Sequence, residues 1–195
     1  MQFKERLRLL IIPAKIIDQT LPHTGIIYEI GSGLGALAGY LAKKRPQQTV
    51  IGIDIDKKKI SRAQREFQLP NCFFVTADSA TYAYKKYAGA ILSDFLHHVP
   101  FETQKKVLKQ LVKHIDKNGT LVIKEIDDAA GWRKWCSRIW DQLLYPNDRI
   151  YYRSRFDWLQ LLKQLGFKAS TYSTTGWFPG STVLYICTKY STNTK

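Results

Sequence analysis

The stretch Tyr28-Glu29-Ile30-Gly31-Ser32-Gly33-Leu34-Gly35 constrains this chain more than any other. It follows a short apolar run, Ile26-Ile27, and precedes a helix-like segment from Ala36 to Lys44. Strand, glycine turn and helix in that order bring a nucleotide-like ligand against a helix N-terminus. Glycines at 31, 33 and 35 remove the β-carbons that would keep such a ligand away from the backbone. A carboxylate, Asp54, ends the next apolar run, Val50-Ile51-Gly52-Ile53. It falls about 20 residues beyond the glycines, where a ribose hydroxyl needs an acceptor. Asp56 is an alternative acceptor, and Asp54 also suits the N-cap of a helix starting at Lys57.

Hydrophobic patterning predicts seven strands, near residues 26–30, 49–54, 72–76, 89–93, 119–126, 167–173 and 181–188. Helices are expected over 34–44, 57–68, 79–86 and 102–115, with two further pieces between 129 and 165. Strands alternating with helices imply a mostly parallel sheet covered on both faces. The last two strands are separated only by Ser173 to Gly180, too short for a helical crossover, so they should pair as an antiparallel hairpin. The expectation is an α/β fold: one Rossmann-like, doubly wound seven-stranded sheet, mostly parallel, with an antiparallel C-terminal hairpin. Residues 1–195 read as a single domain, with 1–24 as an N-terminal helical segment and 127–160 as a substrate-side helical insertion.

Two cofactor classes compete for the glycine turn. Gly31, Gly33 and Ala36 fit a dinucleotide fingerprint in its Gly/Ala form. Glu29, Gly31, Gly33 and Gly35 fit a second pattern better, an acid at the strand end followed by alternating glycines. In this the chain resembles the class I S-adenosylmethionine-dependent methyltransferases of the stand-alone, small-molecule or lipid type. Further landmarks follow in order: Asp54, Ala77-Asp78, Ser93-Asp94-Phe95-Leu96-His97-His98-Val99-Pro100, Asn118-Gly119-Thr120-Leu121-Val122-Ile123-Lys124-Glu125 and Leu165-Gly166-Phe167. The resemblance runs from about Leu21 to Thr188.

That resemblance implies S-adenosyl-L-methionine as cofactor and S-adenosyl-L-homocysteine as product. It implies cofactor contacts from Glu29, Gly31, Ser32, Gly33, Gly35, Asp54, Ile55, Ala77, Asp78, Ser79 and Asp94. Glu29 would accept from the ammonium of the amino acid tail, Asp54 from the ribose hydroxyls and Asp78 from the adenine amino group; Asp78 equally suits a helix cap. Methyl transfer needs a base only when the acceptor is an alcohol, phenol or carbon acid. Asp94, His97 and His98 are the catalytic candidates, with backbone support and helix capping as their plainer roles. Glu125 is a candidate for the acceptor pocket.

The segment Gly131 to Tyr145 places Trp132, Trp135, Cys136, Ile139 and Leu143 on one helical face, beside the cations Arg133, Lys134 and Arg138. A substrate lid, contact with an anionic membrane and stacking on nucleic acid bases all fit that composition. Trp132, Trp135, Tyr152 and Arg153 are the expected substrate residues besides Glu125, with the arginine suited to an anionic group. A net charge of +14 suits an anionic partner or merely solvated helix faces.

Other classes are disfavoured. With 45% hydrophobic residues the chain is not disordered by composition, and no apolar run approaches the roughly 18 residues of a membrane span. Leu9 to Ile12 is cut short by Pro13 and Lys15, which argues against a signal peptide and for an N-terminal helix over the cofactor site. Cys72, Cys136 and Cys187 are widely spaced and odd in number, so buried reduced thiols are expected, without a metal cluster or disulfide framework. A cytoplasmic location follows, with peripheral contact at the inner face of a membrane as an open alternative. The expected activity is methyl transfer to a small or lipid-linked hydrophobic or anionic acceptor. RNA methylation and a non-catalytic, cofactor-binding partner subunit are the alternatives, and the oligomeric state is left open. An Asn/Asp-Pro-Pro-Tyr-type motif after the fourth strand, common in amino-directed nucleic acid enzymes, is missing.

Overall fold

The structure, a computed structural model, describes residues 12–127, 135, 139, 149–173 and 182–189. Among these, seven strands form one sheet: β1 (Ile27–Ile30), β2 (Val50–Asp54), β3 (Cys72–Thr76), β4 (Tyr87–Ser93), β5 (Ile115–Ile126), β6 (Phe167–Ser173) and β7 (Thr182–Lys189). The helices are α1 (Ala14–Thr20), α2 (Ala36–Lys44), α3 (Lys57–Glu66), α4 (Phe101–His114) and α5 (Arg155–Gln164). A single 3-10 turn spans Leu96–His98.

The strand order is β3-β2-β1-β4-β5-β7-β6. The first five strands run parallel, β7 pairs antiparallel with β5, and β6 pairs antiparallel with β7. This is the architecture that the strand–helix alternation and the short final connection imply. β1 and β4 are neighbours although β2 and β3 lie between them in sequence, so the order reverses there. In open α/β sheets a ligand crevice forms at that switch point, outside the carboxyl ends of the strands.

Side-chain alternation along each strand builds two cores. Ile27 on β1, Ile91 on β4, Val122 on β5 and Leu184 on β7 pack with α1, α2 and α3. Tyr28, Ala90, Leu92, Leu121, Ile123 and Tyr185 face α4 and α5, where Val107, Leu108, Leu111, Trp158 and Leu162 are buried. The period of two explains why adjacent polar residues near a strand end serve opposite faces, which matters for Lys124 and Glu125 below.

Three local expectations change. Residues 79–86 form no helix; a turn at Asp78–Thr81 leads into extended chain. Tyr82 and Tyr84 alternate instead of following a helical period, and Tyr84 packs edge-on to Tyr28 at 5.2 Å. Strand β5 begins at Ile115, because Ile115 pairs with Tyr87 before an irregularity in the ladder. Of the N-terminal segment expected over the cofactor site, residues 1–11 lie outside the described residues, and its described helix α1 does not lie over the crevice. Its buried Ile17 packs in the α2 core, and Asp18 accepts from Arg45 Nε at 2.6 Å at the C-terminal end of α2, the opposite end of the sheet.

Cys72 and Cys187 are buried free thiols; Cys136 lies outside the described residues. Burial, and secondarily the charge of Glu29, pushes the Cys72 thiol up to about 12. Burial likewise raises Tyr84, Tyr87 and Tyr185. Unfolded thiols and phenols ionise near 8.5 and 10, below their folded values. The folded chain therefore holds these protons to higher pH, and their contribution is intact below about pH 8.5 and lost as pH rises toward the folded values. The urea midpoint should fall steeply between about pH 9 and 12. A midpoint as high at pH 11 as at pH 8 would contradict the tight burial of these four groups.

Candidate active site

A crevice opens at the carboxyl ends of β1, β2 and β3, with about 380 Å³ of free space. Gly31, Ile53, Asp54, Ile55, Ala77, Asp78, Ser79, Phe95, Val99 and Thr103 line it. Six of the expected cofactor residues, Gly31, Asp54, Ile55, Ala77, Asp78 and Ser79, thus share one wall system. Glu29, Ser32, Gly33 and Gly35 stand behind it as supports.

The floor is the turn after β1. Gly31 N and Ser32 N both donate to Ile53 O, at 2.8 and 3.0 Å, so the turn is tied to β2. Gly31 has φ +70°, and a β-carbon there would sit 2.4 Å from the Phe95 ring. Gly35 has φ +77°, but its missing β-carbon makes room for Phe74, 2.5 Å away, on the core side. Gly35 therefore serves packing under the turn, a correction to its expected place against the ligand. Ser32 is also buried, with Oγ against Gly52 rather than in the crevice.

Asp54 is pre-set by two backbone donors. Gly33 N reaches Oδ2 at 2.8 Å and Asp56 N reaches Oδ1 at 2.9 Å. Asp56 is the helix cap of α3, accepting from Lys58 N and Lys59 N, which leaves Asp54 to the crevice. A carboxylate has about four acceptor sites, so Asp54 retains capacity for two hydroxyls. Glu29 is buried, and its Oε2 accepts from Ala38 N at 2.8 Å in the first turn of α2. Asp78 is exposed and accepts from Ala80 N at 2.8 Å, capping a turn where a helix was expected.

The other rim is the turn after β4. Asp94 has φ +52°, in the left-handed region that Asp tolerates better than most residues. Both its oxygens meet Lys124 Nζ, at 2.6 and 2.8 Å, and the lysine side chain is 2% exposed. Asp94 thus serves as counter-ion to a buried lysine. Glu125, one residue on and on the opposite face, is 1% exposed. Its Oε1 accepts from Phe95 N and Leu96 N at 3.2 and 2.7 Å, and its Oε2 lies 2.5 Å from His97 Nδ1. Glu125 is consequently not in an acceptor pocket; it holds the turn and the imidazole. His97 is 2% exposed, 4.2 Å from the His98 ring and stacked on Tyr152 at 5.7 Å.

The segment after Arg149 closes over this turn. Tyr151 N donates to His97 O at 2.7 Å. Buried Gln104 gives Nε2 to Leu96 O, Val99 O and Tyr151 O, and takes Arg153 Nε on Oε1 at 2.7 Å. Of the other expected substrate residues, Trp135 is 57% exposed and Trp132 lies outside the described residues. Sequence reasoning passed over Phe95, Val99, Thr103, Gln104 and Lys124 as site residues. Lys124 and Glu125 did carry a signal: two adjacent charges in the otherwise apolar run Leu121 to Ile126 demand buried partners.

Residues 4–171 match the family model described as "Methyltransferase domain". No curated protein sequence matches the chain. Among solved structures, it is similar to magnesium protoporphyrin IX methyltransferase from Synechocystis with bound S-adenosylhomocysteine, at 23% identity and TM-score 0.72, covering 95% of this chain and 83% of that one. It is similar to a TehB-like S-adenosylmethionine-dependent methyltransferase from Corynebacterium glutamicum, at 18% identity and TM-score 0.66, covering 90% and 86%. An O-methyltransferase of neocarzinostatin biosynthesis, in complex with S-adenosylmethionine and a hydroxy-methyl naphthoic acid, matches at 17% identity and TM-score 0.73, covering 95% of this chain and 56% of that one.

Proposed function

Because the chain belongs to the methyltransferase domain family, among the class I S-adenosylmethionine-dependent methyltransferases, we propose that it transfers a methyl group to a small or lipid-linked hydrophobic or anionic acceptor. The observation that carries this reading is Asp54, locked by Gly33 N and Asp56 N at the lip of a crevice floored by Gly31. When bound, S-adenosylmethionine supplies an electrophilic methyl on a sulfonium. The crevice residues suit it chemically: Asp54 would accept from ribose hydroxyls, exposed Ile55 would give adenine an apolar cover, and Asp78 with Ser79 would meet its polar groups. Glu29 supports the turn beneath the tail and adds negative charge beside an ammonium.

The acceptor side is built around His97. Glu125 takes Nδ1–H, which directs the other ring nitrogen to act as proton acceptor for a hydroxyl or phenol. Asp94 and His98 stay in the rim as supports. The relatives with small-molecule acceptors in their descriptions favour this reading over RNA, and the motif of many amino-directed nucleic acid enzymes does not follow β4.

Calorimetry with S-adenosylhomocysteine and with a nicotinamide dinucleotide tests the cofactor. The first should bind and the second should not. Asp54→Ala should weaken binding by about 1–3 kcal/mol, the range for unpairing buried polar groups. Binding of the dinucleotide alone, or unchanged affinity in a folded Asp54→Ala, would move the cofactor elsewhere.

A further inference from the structure

Arg153 is a half-buried guanidinium that has no carboxylate within ion-pair distance among the described residues. Its Cζ lies 4.5 Å over the Phe101 ring and 5.6 Å from the Trp158 ring, so aromatic faces cover the plane. Nε donates to Gln104 Oε1 at 2.7 Å. Nη2 is buried and meets no acceptor among the described residues, and no carboxylate there lies within ion-pair distance of it. Burial pulls its proton affinity down, with Asp157 and Glu102 acting only through space to restore it. An Nη2 without an acceptor leaves one face of the guanidinium with unused donors for an anion.

Its placement ties this charge to the site. Gln104, which holds Arg153, also holds Leu96 O and Val99 O of the turn that carries His97. Val99 and Thr103 of the same turn and helix start line the cofactor crevice on the other side. Tyr152, the neighbour of Arg153, stacks on His97. Contacts therefore run from the crevice wall at Val99 through Gln104 to Arg153, and from the buried His97 through Tyr152 to the same segment.

Resting on the methyl-transfer reading above, we propose that Arg153 receives an oxyanion of the acceptor, a carboxylate or a phosphate, while the acceptor's apolar body lies against the aromatic rings of this rim. The planar fork of Arg matches both oxyanions through two parallel hydrogen bonds. Gln104 sets the angle of the fork, so the distance from anion to reacting group is fixed by the same side chain that shapes the His97 turn.

Calorimetric titration with benzoate, phenyl phosphate and neutral benzamide, with and without saturating S-adenosylhomocysteine, tests this. At least one anion should bind the parent, and benzamide should bind at least about tenfold more weakly. Arg153→Gln should lower anion affinity at least about tenfold with S-adenosylhomocysteine affinity unchanged. Lys109→Gln, which removes an exposed charge from α4, should leave it intact and so exclude a general effect of net charge. Arg153→Lys keeps the charge without the fork and should bind several-fold more weakly than the parent; it decides the matter if Arg153→Gln does not fold. Equal affinity for anion and amide, no anion binding by the parent, or unchanged affinity in the arginine variants overturns the assignment. Failure of S-adenosylhomocysteine to bind the parent is a separate result, which sinks the methyl-transfer reading itself.

Discussion

His97→Gln should lower the rate of methyl transfer by about 10²–10⁴-fold, the usual contribution of a positioned acid–base group. The glutamine amide can still donate to Glu125, so the turn keeps its support at Oε1 and Oε2. Affinity for S-adenosylhomocysteine should change less than about twofold, because His97 is not among the residues that line the crevice. The measurement is label transfer from S-adenosylmethionine to whichever acceptor the parent methylates in a panel of hydroxy-aromatic and lipid extracts. Glu125→Gln should show a smaller loss and a shifted pH profile, since it disturbs the tautomer without removing the base. An unaltered rate in His97→Gln would leave His97 as packing beside Tyr152, and transfer would run on proximity alone.

The second large effect concerns stability. Lys124→Met should destabilise the protein by about 2–4 kcal/mol, lowering the thermal midpoint by roughly 5–15 °C. The lysine side chain is 2% exposed and its loss removes the cation beside the Asp94 carboxylate, whose side chain is 29% exposed. That partial exposure sets the effect toward the lower end of the range for a broken buried pair. Asp94 also holds a left-handed backbone at φ +52°, anchored by Asp94 N to Lys124 O at 2.9 Å. Asp94→Asn tolerates the same backbone, so the double variant Lys124→Met, Asp94→Asn should recover a large part of the loss. Urea unfolding of the two single variants and the double variant reads this out. A Lys124→Met midpoint indistinguishable from the parent would mean that the pair contributes nothing to the fold.

Much of the fold is legible in the chain order of residues. The apolar runs of β1 to β5, the glycine turn at 31–35 and the short final connection imply a parallel sheet with a closing hairpin, because local period and loop length leave few alternatives. The segment at 79–86 was not legible, since Tyr82 and Tyr84 are recruited by Tyr28 across the sheet. The face taken by α1 was not legible either, since the partner of Asp18 is Arg45, more than twenty residues away and across a helix.

The candidate site divides along the same line. Asp54 and Gly31 could be picked out from the sequence because their roles depend on the strand-end position and on a positive φ that glycine alone adopts readily. Local pattern also separates Asp56 as a helix cap, once the start of α3 is known. The duties of Lys124 and Glu125 lie beyond any local rule. Adjacent on β5, they point to opposite faces, and each finds its partner on the β4 turn about thirty residues earlier. The sequence by itself determined the sheet, the glycine turn and the carboxylate at the end of β2, because these rest on backbone geometry and periodicity. Only the tertiary structure decided that Glu125 orients His97, that Lys124 neutralises Asp94 and that Arg153 meets no carboxylate among the described residues, because charge pairing across a folded sheet has no signature in spacing along the chain.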